Sequence, residues 1–147
     1  MSDIAATERA LQNQFIAFMR AFGLHRPEET PCGEPVSVAE AHALIELSLA
    51  EQLSQNDLAR RLRLEKSTIS RLVGLLEGRA WIIRTRARHD RRVMELRLTD
   101  AGRQAAAQLS AARQAKFARL LSAIPAEQRP MILETLRLLT EALHAED

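Results

Sequence analysis

The sequence predicts a mainly α-helical chain carrying one small β-hairpin, and three observations lead there. Aromatic residues make up only 3% of the chain and Tyr is absent, while Leu, Ala and Arg are abundant, a composition that suits helices built on aliphatic stripes. Apolar residues recur at steps of three and four along most of the chain. Strict alternation of apolar and polar residues is confined to one short stretch near residue 96. With 147 residues and 46% apolar content, the chain can bury one good core, so a single domain or two tightly merged subdomains are expected. No room remains for a separate catalytic domain.

Leu11, Phe15, Phe18 and Phe22 form one stripe of a first helix running from about Ala5 to Leu24. Pro27, Pro31, Gly33 and Pro35 make the segment from Arg26 to Ser37 a loop. Ser37 then caps a second helix, and Glu40 three residues later completes a capping-box pattern. Val38, Ala41, Leu44, Ile45 and Leu49 are expected to be the buried side of that helix.

Ser54-Gln55-Asn56-Asp57 opens a third, short helix, with Ser54 as cap, Asp57 at its amino end, and Leu58, Ala59 and Leu62 as its apolar face. After Arg63-Leu64 the period restarts in a new phase, with Ile69, Leu72, Val73 and Leu76 on one face. Two short helices joined by a tight turn match a helix-turn-helix. Opposite the apolar stripe of the second lie Ser67, Ser70, Arg71 and Gly74, flanked by Lys66 and Thr68. Such a face can enter a DNA major groove roughly 12 Å wide, where short hydroxyls allow close approach and Arg can span guanine N7 and O6. An ordinary solvated face competes evenly with that reading while this helix is considered alone.

The next segment of the chain decides between them. Trp81-Ile82-Ile83-Arg84-Thr85-Arg86 and the alternating Met94, Leu96 and Leu98 read as two strands, joined by Ala87-Arg88-His89-Asp90-Arg91-Arg92. A hairpin with an arginine-rich tip directly after a helix-turn-helix is a wing, and Arg at such a tip can insert into a narrow minor groove. Asp90 breaks the charge pattern: it either orients a neighbouring Arg through a salt bridge, the preferred reading, or serves as a turn residue. Thr99 begins a long helix whose apolar positions, Leu109, Ala112, Phe117, Leu120 and Ile124, run to Pro125. A last helix carries Ile132, Leu136, Leu139 and Leu143. The first and last two helices have more apolar surface than a small winged domain can cover, so a partner chain is expected.

Charge distribution agrees. Net charge is only +2, yet Ser54 to Asp100 holds 12 basic and 6 acidic residues, while the remainder holds 9 basic and 13 acidic. A basic middle between acidic flanks is the layout of a segment that faces a polyanion.

The order of elements, together with Leu58-Ala59-Arg60-Arg61-Leu62, Ser67-Thr68-Ile69-Ser70-Arg71-Leu72-Val73, Leu75-Leu76-Glu77, the Asp90-Arg91-Arg92 tip and Leu98-Thr99-Asp100-Ala101-Gly102, closely resembles the MarR family of bacterial regulators. The resemblance runs over nearly the whole chain and is most specific from Leu53 to Gly102. It implies a winged helix-turn-helix DNA-binding region merged with a helical dimerisation region in one domain over 1–147. Residues 37–100 would be the winged helix-turn-helix, with the recognition helix at about 66–79 and the wing at about 81–98. Residues 5–24 and 101–145 would dimerise. The implied partners are a second copy of the chain and double-stranded DNA with a pseudo-palindromic operator. The implied action is repression of nearby genes, relieved in many members by a small, often phenolic or anionic, ligand that binds between the two regions.

In these terms Lys66, Ser67, Thr68, Ser70 and Arg71 belong to the major groove, and Arg88, Arg91 and Arg92 to the minor groove. Asp90 and Arg86 support the wing, and Ser54, Gln55 and Arg84 contact phosphates. Members usually have Gly where this chain has Ala80, and commonly Gly near Arg63. A locally adjusted helix end is therefore expected, because a residue with Cβ costs about 1 kcal/mol at φ > 0.

Other chemistry finds little support. Cys32 is the sole cysteine, with no second thiol to resolve its oxidation and no Tyr to bond the oxidised form, so it is read as an inert loop residue and not as a peroxide sensor. His25, His42, His89 and His144 form no metal-ligand spacing, and His42 is read as a helix-surface or packing residue. No phosphate loop or nucleophile elbow is found, so neither an enzyme nor a cofactor is expected. Met1-Ser2-Asp3-Ile4 begins no signal peptide and no membrane span occurs, which predicts a cytoplasmic protein. The alternative is a winged helix used for protein interaction, with its basic wing on an acidic partner.

Overall fold

The computed structural model describes residues 2–146; Met1 and Asp147, the ends of the expected domain, lie outside the described residues. Two compact units divide between Ala112 and Arg113. No helix among the described residues is long and apolar enough to cross a membrane.

The first unit opens with α1 (Ser2–Phe22). Phe18 and Phe22, one turn apart, stack with ring centroids 5.5 Å apart, while Leu11, Phe15 and Phe18 stay about half exposed. Gly23, at φ +89, ends the helix two residues before the sequence stripe suggested, its N–H bonding to the Arg20 carbonyl and that of Leu24 to Met19.

In α2 (Val38–Ala50) the expected capping box is formed in full: Ser37 Oγ accepts from the Glu40 N–H and Glu40 Oε2 accepts from the Ser37 N–H. Its buried set is Glu40, Ala41, Ala43, Leu44, Ile45 and Leu47. Leu49, expected in the core, is 75% exposed. The helix touches α3, α4 and the sheet and so buries an arc wider than one stripe, and Leu49 lies well outside that arc, which is centred near Leu44.

Next along the chain come β1 (Leu53–Ser54), α3 (Gln55–Leu62) and α4 (Lys66–Gly78). β2 (Ile82–Arg86) and β3 (Met94–Leu98) pair antiparallel, with Ile82 opposite Leu98 and Arg86 opposite Met94. β1 pairs with the other side of β3, Leu53 opposite Leu96, to give sheet order β1-β3-β2. This third strand was not expected; two residues are too few to show alternation. The core gathers Leu44 and Leu47 of α2, Leu58 of α3, Ile69, Val73 and Leu76 of α4, and Leu96 of β3, all sealed from solvent.

Both helices of the helix-turn-helix end in the same hydrogen-bond pattern. At α3 the N–H of Arg63 bonds to Arg60 and that of Leu64 to Ala59; at α4 the N–H of Ala80 bonds to Glu77 and that of Trp81 to Leu76. Arg63 and Ala80 hold φ of +54 and +57. The adjusted helix end expected at Ala80 is therefore absent, because two backbone bonds per helix outweigh a left-handed penalty of about 1 kcal/mol.

Thr99 caps α5 (Asp100–Ser122) by accepting the Gly102 N–H at 3.0 Å, and it donates its own hydroxyl to the Ala80 carbonyl at 2.7 Å. In the second unit the distal part of α5 ends at Ser122, and Pro125 leads a 3-10 turn, Ala126–Gln128, into α6 (Arg129–His144). Arg129 Nε bonds to the Ile124 carbonyl at 3.1 Å across that turn. On α6, Leu136 and Leu143 are about half exposed, and Ile132 and Leu139 are half-buried.

Candidate nucleic-acid interface

Lys66 is the first residue of α4, and its cap residue Glu65 gives no side-chain bond to the helix end. The first-turn N–H groups and the positive end of the helix dipole are therefore left for another acceptor. Lys66, Ser67, Thr68, Ser70 and Arg71 are all exposed, while Ile69, Leu72, Val73 and Leu76 fix the opposite face in the core. Gly74 has open space beyond its Cα, which keeps the exposed face low one turn after Ser70.

The wing tip is built by short bonds. Ala87, buried, donates its N–H to the Val93 carbonyl at 2.9 Å, and Val93 donates to the Asp90 carbonyl at 3.0 Å. Asp90 Oδ1 accepts the Arg92 N–H at 2.9 Å, which makes Asp90 the turn residue. The preferred reading, in which its charge orients an arginine, is corrected accordingly. A carbonyl does the orienting: Arg86 Nη1 donates to the Arg91 carbonyl at 2.7 Å. Arg88, Arg91 and Arg92 are exposed, and like Arg71 they pair with no acid among the described residues.

The three residues assigned to phosphates are already engaged within the protein. Ser54 Oγ accepts the Asp57 N–H at 3.0 Å and donates to Asp57 Oδ2 at 2.7 Å. Gln55 Nε2 donates to Ser70 Oγ at 3.2 Å. Arg84 Nη2 lies 3.2 Å from Glu77 Oε2 and ties β2 to α4.

One supporting group escaped the sequence reading. Glu40, 5% exposed, accepts from Arg79 Nε at 2.8 Å, and the Arg79 guanidinium stands 4.9 Å from the Trp81 ring centre. Burial pushes the Glu40 carboxyl up, but hydrogen bonds from Ser37 and the charge of Arg79 outweigh it and hold the carboxyl below its ordinary value. The amino end of α2 is thereby locked to the carboxyl end of α4. The capping box announced Glu40, but nothing in sequence links it to an arginine 39 residues away.

Residues 35–93 match the sequence pattern of the MarR family. The fold agrees: the chain superposes on FabT of Streptococcus pneumoniae, solved in complex with DNA, with a TM-score of 0.76 at 19% identity, covering 98% of this chain and 99% of that one. Over residues 35–93 the chain is similar to the MarR family. The fold is also similar to that of PcaV, a transcriptional regulator of Streptomyces coelicolor solved with its natural ligand, at a TM-score of 0.67 and 22% identity over 93% of this chain and 91% of that one. By sequence the chain is 26% identical over 101 residues to YdgJ, an uncharacterised HTH-type transcriptional regulator of Bacillus subtilis. That similarity covers 69% of this chain and 62% of YdgJ, so the chain spans about three fifths of that relative.

Proposed function

We propose that this protein is a cytoplasmic, homodimeric, sequence-specific DNA-binding transcriptional regulator that represses nearby genes. The observation that carries the reading is the pairing of an exposed, acid-free hydroxyl and cation face on α4 with a wing whose tip arginines have no acidic partner among the described residues. The similarity of residues 35–93 to the MarR family and the likeness in fold to FabT, which was solved in complex with DNA, support it.

Lys66, Ser67, Thr68, Ser70 and Arg71 are assigned to the major groove, and Arg88, Arg91 and Arg92 to the minor groove. Residues 37–100 form the reading region. Residues 5–24 and 101–145 pair with a second copy, which covers the apolar side chains left exposed on α1, on the distal part of α5 and on α6. A small-molecule effector would relieve the repression; PcaV, a regulator of similar fold, was solved in complex with its natural ligand. An open cleft of about 750 Å³ lined by Ser48, Glu51, Gln52, Arg97, Arg103 and Ser110 has the size and polar lining for it.

A gel-shift series on the DNA upstream of the protein's own coding region, over a range of salt, tests the reading. Binding should be specific for that sequence and fall steeply as salt rises. Equal affinity for random DNA would contradict it. Salt-insensitive capture of an acidic protein would favour an interaction module.

A further inference from the structure

Hydrocarbon gains nothing from facing water or phosphate, so a leucine on a helix face assigned to DNA has few partners to meet. Among the described residues of α4, Ile69, Leu72, Val73 and Leu76 are buried, whereas Leu75 is 58% exposed, the one large apolar side chain that this helix leaves in solvent. Helical geometry puts it about 40° around the axis from Arg71, on the same side as Thr68 at about 60°. Leu75 therefore stands inside the arc that runs from Ser70 through Ser67 and Arg71 to Thr68. Along the axis it follows Arg71 by about 6 Å.

Single exposed leucines are ordinary on a protein surface, and what distinguishes this one is its surroundings. Toward the centre of the same face lie Gly74 and Gly78, where a Cβ would meet nothing within 4 Å. No packing inside the protein requires glycine at either place, and glycine is a poor helix former. Bare backbone there lets an outside surface come close to the third turn of α4, with Leu75 as the side chain that reaches it first.

The base edges exposed in a major groove carry one apolar group, the C5 methyl of thymine; the rest of each edge is hydrogen-bond donors and acceptors. We propose that Leu75 is a specificity-determining residue that packs on that methyl and so selects a thymine in each half of the operator. It complements Arg71, whose donors read a purine edge, with a contact that no hydroxyl or cation on α4 can supply. The inference rests on the reading of α4 as the helix that enters the major groove.

The test uses the full-length protein and its operator, with wild type, Leu75→Ala and Leu75→Met compared after their thermal melts show that each is folded. Each operator thymidine is replaced in turn by deoxyuridine, which lacks only the methyl and keeps every hydrogen-bonding group. Wild type should lose about threefold to fivefold in affinity at one thymine per half-site, the worth of one buried methyl. That thymine should lie within about two base pairs of the position where Arg71→Ala relaxes preference, given the axial offset of the two side chains. Leu75→Ala should bind the methylated and unmethylated sites alike at that thymine and keep the wild-type pattern elsewhere; Leu75→Met, of similar volume, should retain most of the methyl effect. A wild type indifferent to every deoxyuridine would overturn the proposal. So would a Leu75→Ala protein with the wild-type pattern of methyl effects, whether or not its overall affinity falls. If either happens while sequence preference persists, the regulator reading stands. If wild type shows no sequence preference at all, both fall.

Discussion

Gly102, in the first turn of α5, lies so close to the carbonyl of Trp81 that a Cβ on it would stand 1.9 Å from that oxygen and 2.8 Å from its carbon. The contact seats the start of α5 on the start of β2, beside Thr99, whose N–H bonds to the same carbonyl at 3.0 Å. The Leu98-Thr99-Asp100-Ala101-Gly102 run is thus a clasp: the Thr caps and the Gly gives clearance.

Gly102→Ala should be strongly destabilising for that reason. The obstacle is backbone, which cannot swing aside, so a loss at or above the usual overpacking range of about 1–3 kcal/mol is expected. Urea unfolding midpoints compare the two proteins, and equal midpoints would show that the clasp tolerates a methyl group.

Ala80→Gly should raise stability, by about 1 kcal/mol. The wild-type residue holds φ +57 at the end of α4, where glycine carries no steric penalty. Thermal melts measure it, and a drop in midpoint would mean that the greater freedom of unfolded glycine dominates.

Glu40→Gln should cost about 1–2 kcal/mol at neutral pH, the worth of a hydrogen bond between charged groups discounted for the partial exposure of Arg79. The carboxyl is held below its ordinary value of 4.5, so its contribution is fully present above that pH and is lost as pH falls through the lowered folded value. The stability gap between wild type and variant should therefore close below about pH 4.5. A gap independent of pH would assign the effect to packing.

Arg71→Ala should cost about 1–3 kcal/mol at one operator position and relax preference there, while Arg92→Ala should weaken binding across sites more uniformly. Affinities over a set of single-base operator variants separate the two patterns. A uniform loss for Arg71→Ala would remove it from base readout.

Leu136→Glu together with Leu143→Glu should yield monomers at micromolar concentration by light scattering, since each charge would have to be buried in the proposed pairing surface. A persistent dimer would place the interface elsewhere.

Much of this protein is legible residue by residue. The stripe Ile69, Leu72, Val73, Leu76 and the alternation Met94, Leu96, Leu98 each carry a period, and burying one side of a helix or strand leaves that period in the sequence. The Ser37 and Ser54 caps are legible because a cap and its bond lie within three residues. Leu49 was misread because its step of four from Ile45 continues a stripe, and only packing on several sides of α2 reveals where the buried arc ends. Local pattern therefore determined the helices, the hairpin, and the chemical character of the face on α4. Tertiary structure alone decided the contacts that join distant residues: β1 on β3, Glu40 on Arg79, Trp81 over Gly102, and Gln55 on Ser70. Those contacts depend on where folding brings two chain segments together, and no periodicity in either segment encodes the meeting.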